Sequence, residues 1–165
     1  MYKDLIIFKN YNGEKIDKSF EYEEKDEPLV KFFNKQSAEL VKKRISTIKT
    51  ITYNGQFIGY YSISMSSIEA GSLFDEKRSA TWPHPAIIIG RILLDKRFRH
   101  GGFGTKVILS IIFLAKKLNQ FCACRFIIVD AKKGVEGFYE KTGFLAVKKE
   151  KQRSGNTTTM LFDLN

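Results

Sequence analysis

The sequence predicts an α/β domain with a mixed sheet. Two observations carry that expectation. The segment at 85–95, PAIIIGRILLD, is apolar almost without interruption, the pattern of a strand buried on both faces. It runs directly into a basic, glycine-rich turn, KRFRHGGFGT, and then into KVILSIIFLAKKL, whose apolar positions leave a wide helical face with Lys106, Ser110, Lys116 and Lys117 outside it. With 165 residues, 43% of them hydrophobic, the chain suits one packed core, and a single domain over residues 1–165 is expected.

Taken in order, the N-terminal MYKDLIIFKN holds an apolar run of four residues with Asp4 before it, too short for a secretory leader or a membrane span. A cytoplasmic chain with no membrane partner is expected. Residues 19–22 read as a short strand, followed by an acidic connector at 23–27 into Pro28, a good first helical residue. Leu29, Val30, Phe32, Phe33, Leu40 and Val41, with Lys42, Lys43 and Arg44 late, indicate one or two short helices. The β-branched and aromatic runs at 47–53 and 56–67 are joined by Asn54-Gly55, a strong hairpin signal.

Residues 69–85, with Gly71, Asp75, Pro83 and Pro85, read as a loop over a surface or substrate site. Gly90, inside the central strand, marks a bulge or a close approach. Further on, residues 124–130 read as another buried strand, and 135–142 as a short helix stopped by Gly143. A closing hairpin is expected from 145–149 and 158–164. Cys122 and Cys124, two apart in an apolar stretch, are expected to be reduced, structural thiols rather than a disulfide. His84 and His100 have no metal spacing, and no metal site is expected.

Arg99, Gly102 and Gly104 have the spacing R-x-x-G-x-G, with Gly101 beside them. Glycines at these positions let main-chain N–H groups converge on an anion, and the following helix adds the partial positive charge of its N-terminus. A pyrophosphate fits such a turn. The alternative is a glycine turn that only solves a packing problem. The glycines are too close and too late for a dinucleotide fingerprint, and Gly104-Thr105-Lys106 has the wrong order for a P-loop.

Through GRILLDKRFRHGGFGTKVILSI and VDAKKGVEGFYEKTGF the sequence resembles the GNAT superfamily of acetyltransferases. It is most similar to the toxin-type branch that acetylates aminoacyl-tRNA. The residues that carry this are GYYSIS at 59–64, the P-x-I-x-x-G-R-I-x-x-D strand at 85–95, VDAK at 129–132 and the early EPLVKFF. The resemblance implies a GNAT-like, mixed but mostly antiparallel sheet flanked by helices, with a pyrophosphate loop between the central strand and the next helix. It implies acetyl-CoA as donor, held by Ile92, Leu93, Leu94, Arg99, His100, Gly101, Gly102, Phe103, Gly104, Thr105 and Phe138. An N–H near Leu93 or Leu94 would face the thioester carbonyl, and Tyr139 would protonate the departing thiolate. An aminoacyl-tRNA, an antitoxin protein and a second copy of the chain are the further partners it implies.

The chain departs from the branch at His100, where Gly is usual, and at Gly101, where the branch has a small or polar residue. Lys133-Gly134 stands in place of an Asn-Glu or Asp-Glu pair, and Gly137 in place of Ala. Gly134 and Gly137 would each weaken a short helix by roughly 1 kcal/mol, loosening Tyr139.

The amine to be acetylated must be neutral. At pH 7 a lysine amine of pKa about 10.4 is neutral in about one molecule in two thousand, and an α-amino group of pKa about 7.8 in more than a tenth. The central strand offers no Glu or His as a base, which favours the weaker amine; Asp95, His84 and Glu136 are the remaining candidates for a base or a water holder. A net charge of +10 fits a polyanionic partner, with Lys96, Arg97, Arg99 and Lys106 around the glycine turn and Lys42, Lys43, Arg44, Lys132, Lys133, Lys148, Lys149, Lys151 and Arg153 elsewhere. Two other readings stand beside this one. One is an acetyltransferase for a protein N-terminus, a polyamine or another small amine; the other is a catalytically silent acyl-CoA sensor or RNA-binding module.

Overall fold

A computed structural model describes residues 4–69, 83–147 and 152–165. The strands are β1 (Ile6–Asn10), β2 (Thr47–Tyr53), β3 (Gln56–Ile68), β4 (His84–Leu94), β5 (Phe126–Lys132), β6 (Leu145–Ala146) and β7 (Thr157–Asp163). They form one seven-stranded sheet in the order β1-β2-β3-β4-β5-β7-β6. β4 and β5 are parallel; the β1–β2, β2–β3, β5–β7 and β6–β7 pairs are antiparallel. The helices are α1 (Glu27–Lys42), α2 (Phe103–Leu118) and α3 (Glu136–Lys141). This is the mixed, mostly antiparallel sheet the sequence predicts, with β4 at its centre.

The chain comprises two compact units, Met1–Ser64 with Gly90–Val107 and Met65–Ile89 with Ile108–Asn165. In the first, α1 is a single helix of 16 residues rather than two. Pro28 lies in its first turn, Glu27 complements the N-terminal dipole, and Glu27–Lys31 and Glu39–Lys43 pairs lie along its surface. Its apolar face buries Val30, Phe32 and Phe33 with Ile48, Tyr60 and Leu93. The ring of Phe33 sits 4.5 Å from Tyr60 and 5.5 Å from Tyr11.

The β2–β3 hairpin turns at Asn54 and Gly55, both with positive φ, as the Asn-Gly signal requires. Past the turn the register slips, from Thr52↔Phe57 to Ile51↔Gly59, so Ile58 is the extra residue of a β-bulge. Gly59 follows it at φ +156, and a Cβ there would stand 2.2 Å from the carbonyl oxygen of Leu93. Only glycine lets β3 approach β4 so closely. At Gly90 a Cβ would meet the Ser62 side-chain hydroxyl at 3.1 Å, whereas the nearest backbone atom, the Ser62 carbonyl oxygen, stands at an ordinary 3.9 Å.

In the second unit β5 pairs with β4 over Ala86↔Phe126 to Ile89↔Val129 and with β7 along its whole length. Ala86, Phe126, Ile128, Val147 and Leu161 form its core.

Several boundaries differ from expectation. Residues 19–22 form no strand, because the N–H of Glu21 donates to the Asp95 carboxylate and its carbonyl accepts from Lys96 N–H, leaving no ladder partner. β1, which the short apolar run of the N-terminus did not announce, pairs with β2 from Ile6↔Tyr53 to Asn10↔Lys49. β4 begins at His84, so His84 and Pro85 belong to the strand; residues 70–82 of the expected loop lie outside the described residues. β5 begins at Phe126 rather than at residue 124. Cys122 and Cys124 therefore sit in the connector before it, both free, the first exposed and the second buried. The closing hairpin pairs Leu145↔Leu161 and Ala146↔Met160, with residues 148–151 outside the described residues. No described helix is long and apolar enough to cross a membrane.

Candidate functional site

In the first unit, β4 runs through Asp95 into a short turn and then into α2. Asp95 ends the strand fully buried and accepts hydrogen bonds from the N–H of Glu21 (3.1 Å), the N–H of Arg97 (2.9 Å) and the Arg97 guanidinium (2.6 Å). Burial raises its carboxyl pKa, but these hydrogen bonds and the Arg97 charge outweigh burial and hold it below the ordinary carboxylate range. Asp95 is thus a structural cap and a poor base.

Because its folded pKa is depressed, its stabilising contribution is present above the unfolded value of about 3.9 and is lost as pH falls through the folded value. Asp95→Asn is expected to cost about 2 kcal/mol at pH 7. The deficit should shrink in urea unfolding as pH falls below the unfolded value of about 3.9, because the wild type loses the same contribution as pH approaches the folded value.

Arg99, the first residue of the R-x-x-G-x-G spacing, spends its side chain on the protein. Its guanidinium donates to Asp26 (2.7 Å) and to the carbonyl of Leu94 (3.0 Å), 3.8 Å from Glu23. Of the four basic residues expected around the turn, Arg97 and Arg99 are therefore neutralised by carboxylates. The Arg99 ion pair instead ties residues 95–99 to the N-terminus of α1, which sequence spacing alone did not reveal.

The turn itself is open to solvent at His100, Gly101, Gly102 and Thr105. His100 (φ 64) and Gly102 (φ 79) both adopt the left-handed conformation, rare for a side-chain-bearing residue and tolerated by His more than by most. α2 starts immediately afterwards at Phe103, so the first N–H groups of the helix have no intrahelical acceptor and point back into the turn. A Cβ at Gly102 would meet nothing within 4 Å, so the glycine serves the backbone conformation rather than a lack of space. Phe103 is packed edge-on against Tyr53 (4.9 Å) and Phe98 (5.7 Å), which anchors the start of the helix.

The geometry of β4 orders its main-chain groups. The carbonyl of Leu93 faces Gly59 of β3, and the N–H of Asp95 donates to Ile58 of β3 at 2.9 Å. Successive residues of a strand alternate the direction of their N–H and C=O groups. Ile92 and Leu94 therefore turn theirs to the other edge of β4, where the Leu94 carbonyl receives Arg99.

In the second unit, Tyr139 lies on α3. The helix ends in a Schellman motif: Phe144 N–H donates to Tyr139 C=O at 3.1 Å and Gly143 N–H to Glu140 C=O at 3.0 Å, with Gly143 at φ 96. The Tyr139 and Phe144 rings meet at 5.6 Å, the apolar contact that accompanies this motif, and Phe138 stands edge-on to Tyr139 at 5.0 Å. Tyr139 is 9% exposed, and its hydroxyl has no hydrogen-bond partner among the described residues. Burial pushes the phenol up to about 12, so it carries its proton throughout the neutral range.

Gly134, expected to weaken this helix, precedes it at φ +88, where glycine is favourable. Gly137 alone lies inside, with open space at its Cβ position. Gly137→Ala is expected to raise stability by about 0.5–1 kcal/mol in thermal unfolding without altering turnover.

Two other candidates have local roles. Glu136 accepts from Gly134 N–H (2.6 Å) and Thr158 Oγ1 (3.0 Å). Hydrogen bonds from its own N–H, from Thr158 and from neighbouring N–H groups hold its pKa low. His84 starts β4, its ring 5.6 Å from that of Phe126. No cluster of metal-ligating side chains occurs among the described residues.

Residues 9–144 match the family model described as the acetyltransferase (GNAT) family. No curated protein sequence matches the chain. Among solved structures, a tyrosine-to-phenylalanine mutant of KacT superposes with a TM-score of 0.82 at 17% identity, over 96% of this chain and 95% of that one. AtaT complexed with acetyl-methionyl-tRNAfMet gives 0.81 at 17% identity, over 96% and 94%. AtaTR bound with AcCoA gives 0.77 at 17% identity, over 96% and 94%.

Proposed function

The chain belongs to the acetyltransferase (GNAT) family, and we propose that the amine it acetylates, with acetyl-CoA as donor, is the α-amino group of an aminoacyl-tRNA. One observation carries the chemistry: a buried, protonated phenol with no hydrogen-bond partner among the described residues, on a helix closed by a Schellman motif, in a chain that also has an open glycine turn at a helix N-terminus. In this reading residues 1–165 act as one acetyltransferase domain in the cytoplasm.

The residues fit the donor. The N–H groups at the start of α2, with His100, Gly101 and Gly102 holding the turn, take the pyrophosphate; Phe103, Gly104 and Thr105 supply the helix terminus itself. Arg99 acts through Asp26 and Leu94 to fix the turn and contributes no free charge. The thioester carbonyl is assigned to an N–H of β4, Leu94 or Ile92 rather than Leu93, since those face away from β3. Phe138 is assigned to the coenzyme's apolar portion.

The reaction joins the amine nitrogen to the acetyl carbon and breaks the carbon–sulfur bond. The amine enters neutral and surrenders one proton as the amide forms, while the sulfur leaves as thiolate and gains one. Tyr139 donates a hydrogen bond, and then its proton, to that sulfur and is reprotonated from the acetylated nitrogen or water. No carboxylate of depressed pKa need act as base, because an α-amine of pKa about 7.8 supplies its neutral form unaided near pH 7.

The acceptor rests on the weak-amine argument, on the net charge of +10 and on fold similarity along nearly the whole chain to AtaT, seen with acetyl-methionyl-tRNAfMet. AtaT is seen bound to the C-terminus of the antitoxin AtaR, which makes an antitoxin protein a partner to seek for this chain. The test is transfer of label from acetyl-CoA to charged tRNA, with deacylated tRNA, polyamines and a lysine peptide alongside. Label on charged tRNA alone supports the proposal; label on a polyamine or lysine peptide overturns the acceptor.

A further inference from the structure

Arg91 stands in β4 between Gly90 and Ile92, half-buried, with its guanidinium carbon 3.6 Å above the centre of the Phe32 ring on α1. It has no ion pair or hydrogen bond among the described residues. The other arginines of the same unit's β4 and turn contrast with it: Arg97 holds Asp95 and Arg99 holds Asp26. The nearest polar side chain the structure couples to it, Tyr60, already donates its hydroxyl to the Leu29 carbonyl at 2.8 Å.

A guanidinium stacked on a buried ring is pre-oriented but keeps its donors unused, and a partly desolvated cation without an anion is unfavourable unless a ligand supplies one. The planar fork suits bidentate contact with phosphate oxygens. Its strand position separates it from the donor's groups, because alternation sends the Arg91 side chain to the face of Leu93 and α1, opposite to Ile92 and Leu94.

We propose that Arg91, held flat on Phe32, is a specificity-determining residue that binds a backbone phosphate of the nucleic-acid acceptor. The inference rests on the aminoacyl-tRNA reading. It places the contact on the acceptor rather than on acetyl-CoA, whose own phosphates are the competing source of the same chemistry.

Steady-state acetylation of charged tRNA is compared for the full-length wild type, Arg91→Met and Arg91→Lys, at several salt concentrations. Arg91→Met is expected to raise KM for charged tRNA about 10- to 100-fold, with KM for acetyl-CoA unchanged. It should also lower the slope of log affinity against log salt by about 1. Arg91→Lys, which keeps the charge but not the fork, should fall between them with the wild-type salt slope, and it carries the test if the Met variant does not fold. A parallel rise in KM for acetyl-CoA assigns the residue to the donor and overturns the inference. Labelled tRNA with unchanged KM and salt slope overturns the inference alone, whereas a wild type that labels no charged tRNA overturns the acceptor reading together with it.

Discussion

Tyr139→Phe is expected to lower kcat for acetyl transfer by about 10²- to 10³-fold while leaving the fold intact. The Tyr139 hydroxyl makes no hydrogen bond to any described residue, so its removal orphans no buried partner, and the ring contacts to Phe138 and Phe144 survive in phenylalanine. Thermal unfolding should therefore shift little, and KM for acetyl-CoA should stay close to wild type, because the turn proposed to hold the pyrophosphate, at residues 99–105, makes no hydrogen bond with this hydroxyl. A matched fall in kcat and kcat/KM is the signature of an interaction made only as the thiolate departs. Unchanged kcat would remove Tyr139 from the chemistry.

The pH profile adds a second check. With the phenol raised to about 12, Tyr139 stays protonated from pH 6 to beyond pH 10, so kcat/KM should rise as the acceptor amine loses its proton near pH 7.8 and then remain level. Stability has the opposite sense at the alkaline end. Between the unfolded tyrosine value of about 10 and the folded value, the native state holds a proton that the unfolded chain has lost, so stability falls as pH rises through that window. The Phe variant should lack this component of alkaline unfolding.

Local signals in the sequence were sufficient where a single residue dictates a backbone conformation. Asn54-Gly55 placed the hairpin to the residue, Gly143 placed the end of α3, and the uninterrupted apolar run placed β4. The glycine turn was legible as a turn, because Gly102 takes the left-handed conformation and the segment stays exposed. What the sequence concealed is non-local. Arg99 finds Asp26 and Arg97 finds Asp95 with the N–H of Glu21, so residues that read as a strand at 19–22 and as free positive charge around the turn are consumed in joining the two segments. Likewise β1 has little alternation of its own and exists because β2 offers it an edge. Helix propensity misjudged Gly134 for a similar reason: its cost depends on lying inside the helix, and it lies just before.

Among the described glycines, Gly59→Ala is expected to have the largest effect on stability, about 3 kcal/mol or more, because overpacking here is against backbone. The added Cβ would sit 2.2 Å from the Leu93 carbonyl oxygen and 3.0 Å from the Leu94 side chain, and the residue would also have to hold φ +156. A side chain could rotate away; a strand carbonyl in the middle of a sheet moves only with its strand. For a chain of this length such a loss corresponds to a fall in Tm of roughly 6–12 °C. Relief requires β4 to shift near Leu93 and Leu94; the Leu94 carbonyl anchors Arg99, and the Leu94 N–H is one of the two proposed to face the thioester. Any folded Gly59→Ala protein should therefore show a raised KM for acetyl-CoA as well as a lower kcat, in contrast to Tyr139→Phe, where kcat alone falls. Wild-type kinetics in a merely less stable variant would mean that the bulge at Ile58 supports the sheet without setting the geometry of the donor site.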